Sequence, residues 1–245
     1  MNDERLVLAL DASHQMGSVA VCRGEKGLGE ILFDASDTHS ATLLPGVDAC
    51  LASAKVTLSD VELLAVVYGP GSFTGLRIAL ATVKAFAAVR RIPVAPVESC
   101  AVLAAAFPYA AHPVFPLIDA RRGEVYGALY DTLGGSPREI APPFSAKPET
   151  LATFLEAWPV RGPLILCGTG MLRHRAVLES IMPSGSLFAG ERWAVPSASL
   201  CAMLALARPS VGYEELFALE PLYIRPPDAR LPGAARAGSR GGVGR

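Results

Sequence analysis

The sequence predicts an α/β protein of two tandem lobes, each running βββαβα, with the second lobe less regular. Two observations carry this expectation. Short runs rich in Val, Leu and Ile alternate with helix-period segments in the same order twice. Both periodicities stop between Tyr109 and Pro113, where Ala, His and Pro interrupt them. The expected division is residues 1–110, residues 111–225 and a tail over 226–245.

In the first lobe, strands are expected at Leu6–Asp11, Gly17–Cys22 and Leu28–Asp34, separated by glycine and polar turns. A helix over Ala41–Lys55 follows, with Leu43, Leu44, Val47, Leu51 and Ala54 recurring at helical spacing and Pro45 restricting its first turn. The strand Leu63–Tyr68 breaks into the turn Tyr68-Gly69-Pro70-Gly71-Ser72-Phe73-Thr74-Gly75, and a helix runs from Leu76 to Arg91. A short strand, Val94–Val97, feeds an alanine-rich helix that begins near Ser99 and ends by Pro108. The second half repeats the order. Strands are expected at Val114–Asp119, Glu124–Asp131 and Arg138–Ile140, then a helix near Glu149–Ala157 and a strand at Leu164–Cys167. One helix near Met171–Met182 and a last one at Ser197–Ala207 complete it. From Pro226 on, the chain is Pro, Gly, Ala and Arg with almost no large apolar residue, which reads as a disordered basic tail.

Composition narrows the function classes. Apolar residues make up 51% and charged residues 18%, so much of the surface must be apolar or shielded, and a partner chain is the economical cover. No apolar stretch reaches the roughly 18 residues of a membrane span, and Met1-Asn2-Asp3-Glu4-Arg5 is unlike a signal peptide, so a cytoplasmic protein without membrane contact is expected. Five scattered cysteines with no C-x-x-C fit reduced, packed thiols. A net charge of −1 gives the body no general footprint for nucleic acid.

Two copies of βββαβα are the layout of duplicated ribonuclease-H-like lobes, as in actin, Hsp70 and sugar kinases (the ASKHA architecture). The hairpin Leu8-Ala9-Leu10-Asp11-Ala12-Ser13 with Gly17-Ser18-Val19-Ala20-Val21, the glycine turn through Leu76-Arg77, and Asp119-Ala120-Arg121-Arg122-Gly123-Glu124-Val125-Tyr126 together resemble the TsaB (YeaZ) family. The resemblance covers about Leu6 to Arg225. It implies a non-catalytic subunit beside the related TsaD, with TsaE completing the complex. That complex moves threonylcarbamoyl onto the adenosine next to the anticodon of tRNAs reading codons that begin with A. ATP and a metal ion are then expected on the partner subunits, with no cofactor in this chain, and a homodimer in isolation stays open.

The residues themselves weigh against catalysis. Phosphate-handling relatives grip phosphates with a glycine-bearing hairpin from each lobe, whereas the second hairpin here carries Arg121 and Arg122 and a single glycine. Those arginines could bind an anion by charge or pair with carboxylates. His14, His39, His112 and His174 form no i, i+4 pair, so a metallopeptidase finds no ligands. Asp11 sits where kinases of this architecture orient Mg²⁺, yet Asp11 and Ser13 equally suit turn capping. Ser13 and His14, as neighbours on a strand end, are expected to point apart. Gly69, Gly71 and Gly75, with Gly168 and Gly170 in the second half, are candidate remnants of a phosphate or nucleotide site, or plain turn and cap residues. The alternative reading is an ATP-dependent small-molecule kinase or a nucleotide hydrolase of the same superfamily.

Two helices suggest a docking surface. Arg77, Lys84 and Arg91 recur every seven residues as a thin basic line bordered by Ala81, Ala85 and Ala88. On the preceding helix, Thr42, Gly46, Ala49 and Ser53 form a small-residue face. The expected occupant is the helix pair of TsaD, the competing one this chain's own second lobe. Arg230, Arg236, Arg240 and Arg245 oppose Asp228 alone in the tail, which could add salt-sensitive affinity for tRNA phosphates.

Overall fold

The computed structural model describes residues 3–35 and 39–224. The tail expected over 226–245 lies outside them. The first sheet contains β1 (Leu6–Asp11), β2 (Met16–Arg23), β3 (Lys26–Asp34), β4 (Leu63–Gly69) and β5 (Val94–Glu98) in the order β3-β2-β1-β4-β5. Its helices are α1 (His39–Ala54), α2 (Phe73–Arg90) and α3 (Ser99–Ala105). In the second half, β6 (Val114–Asp119), β7 (Val125–Asp131), β8 (Arg138–Ala146), β9 (Ile165–Cys167) and β10 (Leu187–Phe188) form a sheet of order β10-β9-β6-β7-β8. Around it stand α4 (Leu151–Glu156), α5 (Thr169–Arg173), α6 (Arg175–Ile181) and α7 (Ala198–Leu206). In both sheets the first three strands form an antiparallel meander, and the next two add in parallel to the first. The repeated order is the duplicated ribonuclease-H-like layout.

Strand alternation sorts the core. Leu6, Leu8, Leu10, Leu64 and Val66 turn toward α1 and α2, while Val7, Ala9, Leu63, Ala65 and Val67 turn the other way. The second sheet is sorted alike, with Phe115, Leu117 and Leu129 against α4 to α6 and Val114, Ile118 and Tyr130 on the opposite face. The two inward faces share one core with α3 and α7, so these helices are the filling between the sheets. Every residue of α3 is buried, and α7 carries no charged residue. Helices apolar all round belong in an interior. This shared core absorbs part of the apolar excess that composition alone assigned to a partner. Cys22, Cys100, Cys167 and Cys201 lie in it as free thiols, and burial pushes each of them up.

Several expected boundaries move. β8 runs to Ala146 through Pro142 and Pro143, because an edge strand needs no donor on its outer side. The single helix expected near Met171–Met182 is two, broken at His174 with φ −110° and ψ 20°. α5 is seated on β6, whereas α6 turns to bury Leu178 in the second core. β10, two residues long, was too short to read from pattern.

The chain also crosses back. α7 packs on β1, β2, β4 and β5, although it follows the second sheet in sequence. Residues 211–223 then lie along the first lobe as a strap. Val211 and Val94 exchange backbone hydrogen bonds of 3.0 and 2.8 Å on the open edge of β5, and Leu216 is buried in the α1/α2 core. Residues 198–223 therefore stand with the first sheet.

Candidate functional site

The carboxyl ends of β1 and β4 face β6 and α5 across a cleft of about 500 Å³. Ser13, His14 and Gln15 line it from the first hairpin, and Gly71, Ser72, Phe73 and Thr74 from the glycine turn. From the second half come Asp119, Arg121, Tyr126 and Thr169. The two first-lobe pieces are locked together. Ser72 N–H donates to Ser13 O at 2.7 Å, and a Cβ on Gly71 would meet that oxygen at 2.4 Å. Gly71 thus serves close backbone approach.

The same accounting assigns the other glycines. Gly69 precedes a cis Pro70 and has φ +130°. Gly75 N–H donates to the Ser72 hydroxyl that caps α2. Gly168 has φ +96° and Gly170 packs on Ile118, so both bring α5 onto β6.

Asp11 is fully buried at the end of β1, where Oδ1 accepts Ser13 N–H at 2.8 Å and Oδ2 has no protein partner. Burial pushes its pKa up to about 7. His14 is buried too, and burial lowers its pKa to about 4. Ser13 Oγ lies 2.8 Å from His14 Nδ1. The expectation that the two point apart fails because β1 ends at Asp11, so strand alternation no longer governs the next residues. Three polar groups meet here. Asp11 is occupied with the turn, however, and Nε2 of His14 is sealed without a partner.

Across the cleft, Asp119 is held by Arg173 at 3.0 Å and accepts Arg121 N–H at 3.0 Å. Arg121, Arg122 and Gly123 have φ of +60°, +53° and +76°, three consecutive left-handed residues, of which only the glycine is at ease there. Arg121→Gly is expected to stabilise the fold by roughly 0.5 kcal/mol, the released strain exceeding the added unfolded-state entropy. A urea midpoint measures it. No group of three His, Cys, Asp or Glu placed to hold a metal occurs among the described residues.

The basic line on α2 has an occupant. Arg77 Nε donates to Tyr223 OH at 3.0 Å with its guanidinium over Phe73, and Lys84 Nζ donates to Phe217 O at 3.3 Å. Arg91 lies 5.6 Å from the Tyr213 ring. The strap therefore engages Arg77 and Lys84, while Ala81 stays exposed and lines, with Leu219, Pro221 and Tyr223, an opening of about 220 Å³ between strap and helix. Ala85 and Val89 stay exposed and Ala88 is half-buried, while Leu44, Ala49 and Ser53 are exposed on α1. Thr42 is half-buried. Gly46 faces inward, where a Cβ would sit 3.4 Å from Phe33, so it is not part of the outer face. Sequence reasoning missed the strap. Its signal was three cations on one line of an otherwise apolar helix, with Tyr213, Phe217 and Tyr223 downstream.

Two five-stranded sheets of one order, joined by a common core and open along one cleft, define the two-lobed ASKHA class. The family model described as "TsaD: tRNA N6-adenosine threonylcarbamoyltransferase" matches residues 33–207. A Bacillus subtilis protein, "tRNA threonylcarbamoyladenosine biosynthesis protein TsaB", is 29% identical over 72% of this chain and 76% of its own length. Its Haemophilus influenzae namesake is 40% identical over 49% of this chain and 51% of that protein. The solved structure "YeaZ from Pseudomonas aeruginosa" overlays with a TM-score of 0.75 at 30% identity, over 89% of this chain and 99% of that one. The chain belongs to the TsaD family, within its TsaB (YeaZ) group. No described helix is long and apolar enough to cross a membrane.

Proposed function

We propose that this chain is a non-catalytic, cytoplasmic subunit of the machinery that makes threonylcarbamoyladenosine in tRNA, where it holds and activates TsaD. The observation that carries this reading is the state of Asp11, the carboxylate a phosphate-handling relative would present to a metal. Here it is fully buried and caps its own turn through Ser13. The opposing hairpin adds support, because Arg121 and Arg122 occupy the positions where glycines would let backbone N–H groups approach phosphate. Transfer onto the adenosine beside the anticodon, in tRNAs reading codons that begin with A, then belongs to TsaD, with ATP and metal on TsaD and TsaE.

Docking is assigned to the outer faces of α1 and α2, where Ala49, Ser53, Ala85 and Ala88 permit close helix approach. Ala85→Glu leaves the isolated chain folded, since the site is exposed. The same change should lower affinity for TsaD at least about 100-fold by placing an unpaired carboxylate in the joint. Co-purification and calorimetry read it. Unchanged affinity would remove this face from the interface, while ATP hydrolysis or threonylcarbamoyl transfer by the purified chain alone would end the non-catalytic reading.

A further inference from the structure

Arg77 and Lys84 meet the strap through neutral partners only. Among the described residues each uses a single side-chain donor, Arg77 on the Tyr223 hydroxyl and Lys84 on the Phe217 carbonyl, and neither forms an ion pair. Both side chains have further donors to offer. The opening between strap and helix lies where they converge, with Leu80, Leu219 and Pro221 as its apolar lining and exposed Glu220 as its one carboxylate, so its charged groups sum to +1. The strap holds this opening in place from both sides. Leu216 is buried in the α1/α2 core, and Leu222 N–H donates to Tyr68 O at 2.8 Å. About 220 Å³ falls short of the roughly 300 Å³ at which pockets for free small molecules begin, and suits one side chain of another protein.

We propose that the opening is an anchor pocket for a single carboxylate side chain on the TsaD helix that docks against α2. Charge decides the occupant. A neutral side chain would strip water from two cations and return nothing, whereas a carboxylate on an apolar stem satisfies the cations and the lining together. Arg77 supplies a planar fork that matches carboxylate geometry, and Lys84 a point charge. The anchor rests on the docking proposed above and continues its surface, because Ala81 lines the opening and Ala85 follows one turn later, both exposed. A second copy of this chain is the rival occupant, since α2 carries no acidic residue and the described part of α1 offers Asp48 alone.

The test is calorimetric titration of the full-length chain with purified TsaD at low and high salt. Lys84→Met keeps the apolar stem and removes the charge, and should lower affinity about 10-fold at low salt. Combining it with Arg77→Gln should lower affinity further and abolish most of the salt dependence that the parent shows. Tyr223→Phe releases Arg77 from the strap but keeps both cations and the opening, so its affinity should stay within about 2-fold of the parent. Unchanged affinity in the double variant would overturn the anchor. So would an equal loss in Tyr223→Phe, which would make strap placement rather than charge the cause. A matching shift in self-association of the isolated double variant, read by sedimentation, would hand the opening to a second copy and overturn the assignment to TsaD. Ala85→Glu tells the two failures apart: weakened binding there beside an unaffected double variant overturns the anchor alone, while unaffected binding there overturns the docking face itself.

Discussion

Gly168→Ala is expected to destabilise the protein by about 3–5 kcal/mol, the largest loss from any one added methyl group. Gly168 has φ +96° and ψ 166°, a region essentially reserved for glycine. A Cβ there would also stand 2.4 Å from the carbonyl oxygen of Leu117, which is backbone of the central strand β6 and cannot swing aside. Both costs apply at once. Gly123 supplies the control, since its φ is +76° but nothing lies within 4 Å of an added Cβ, so alanine there should cost only about 1 kcal/mol. Urea unfolding of the two variants separates conformational strain from the clash, and equal losses would mean that β6 yields more readily than a packed strand should.

The second large effect concerns pH and the buried pair on the first hairpin. Asp11 holds its proton up to about pH 7 in the native state against 3.8 as the reference value, so the unfolded chain binds fewer protons between those limits. Its contribution to stability therefore falls as pH rises through that window. His14 has the opposite sign. Its native pKa of about 4 lies below the reference 6.5, so the unfolded chain binds more protons and stability falls as pH drops from 6.5 to 4. The two slopes oppose each other over pH 4 to 6.5 and should leave the parent chain nearly flat there.

Single variants uncouple them. Asp11→Asn keeps an oxygen for Ser13 N–H and removes the buried acid, and should stabilise the fold at pH 8 by up to about 4 kcal/mol. It should also expose an acid-side loss of about 3 kcal/mol from His14. His14→Gln should leave only the decline toward alkaline pH. Unfolding free energies at pH 4.5, 6 and 8 for the three proteins measure both slopes, and parallel curves would show that neither group is as desolvated as the geometry requires.

Much of this was legible before any coordinates. Leu6, Leu8 and Leu10 alternating with Val7 and Ala9 specify a strand buried on both faces, and the same grammar recurs from Val114. The duplicated βββαβα order along the chain follows from that repetition. Local chemistry around Asp11 was also readable, since Asp and Ser two apart at a strand end form a turn by themselves. Other features were not. The basic line on α2 read as a surface for another chain because nothing local announces that residues 213–223, more than 120 positions away in sequence, return to contact Arg77, Lys84 and Arg91.

Sequence alone determined most of the strands and helices, their repeated order along the chain and which hairpin carries arginines in place of glycines, because these depend on periodicity, turn chemistry and residue type over a few positions. The tertiary structure decided that α3 and α7 fill the space between the sheets, that Gly46 faces Phe33, that Ser13 meets His14, and that the strap bonds to Arg77 and Lys84. Each of these depends on surfaces brought together from distant parts of the chain, and burial against such a surface is a property no local window carries.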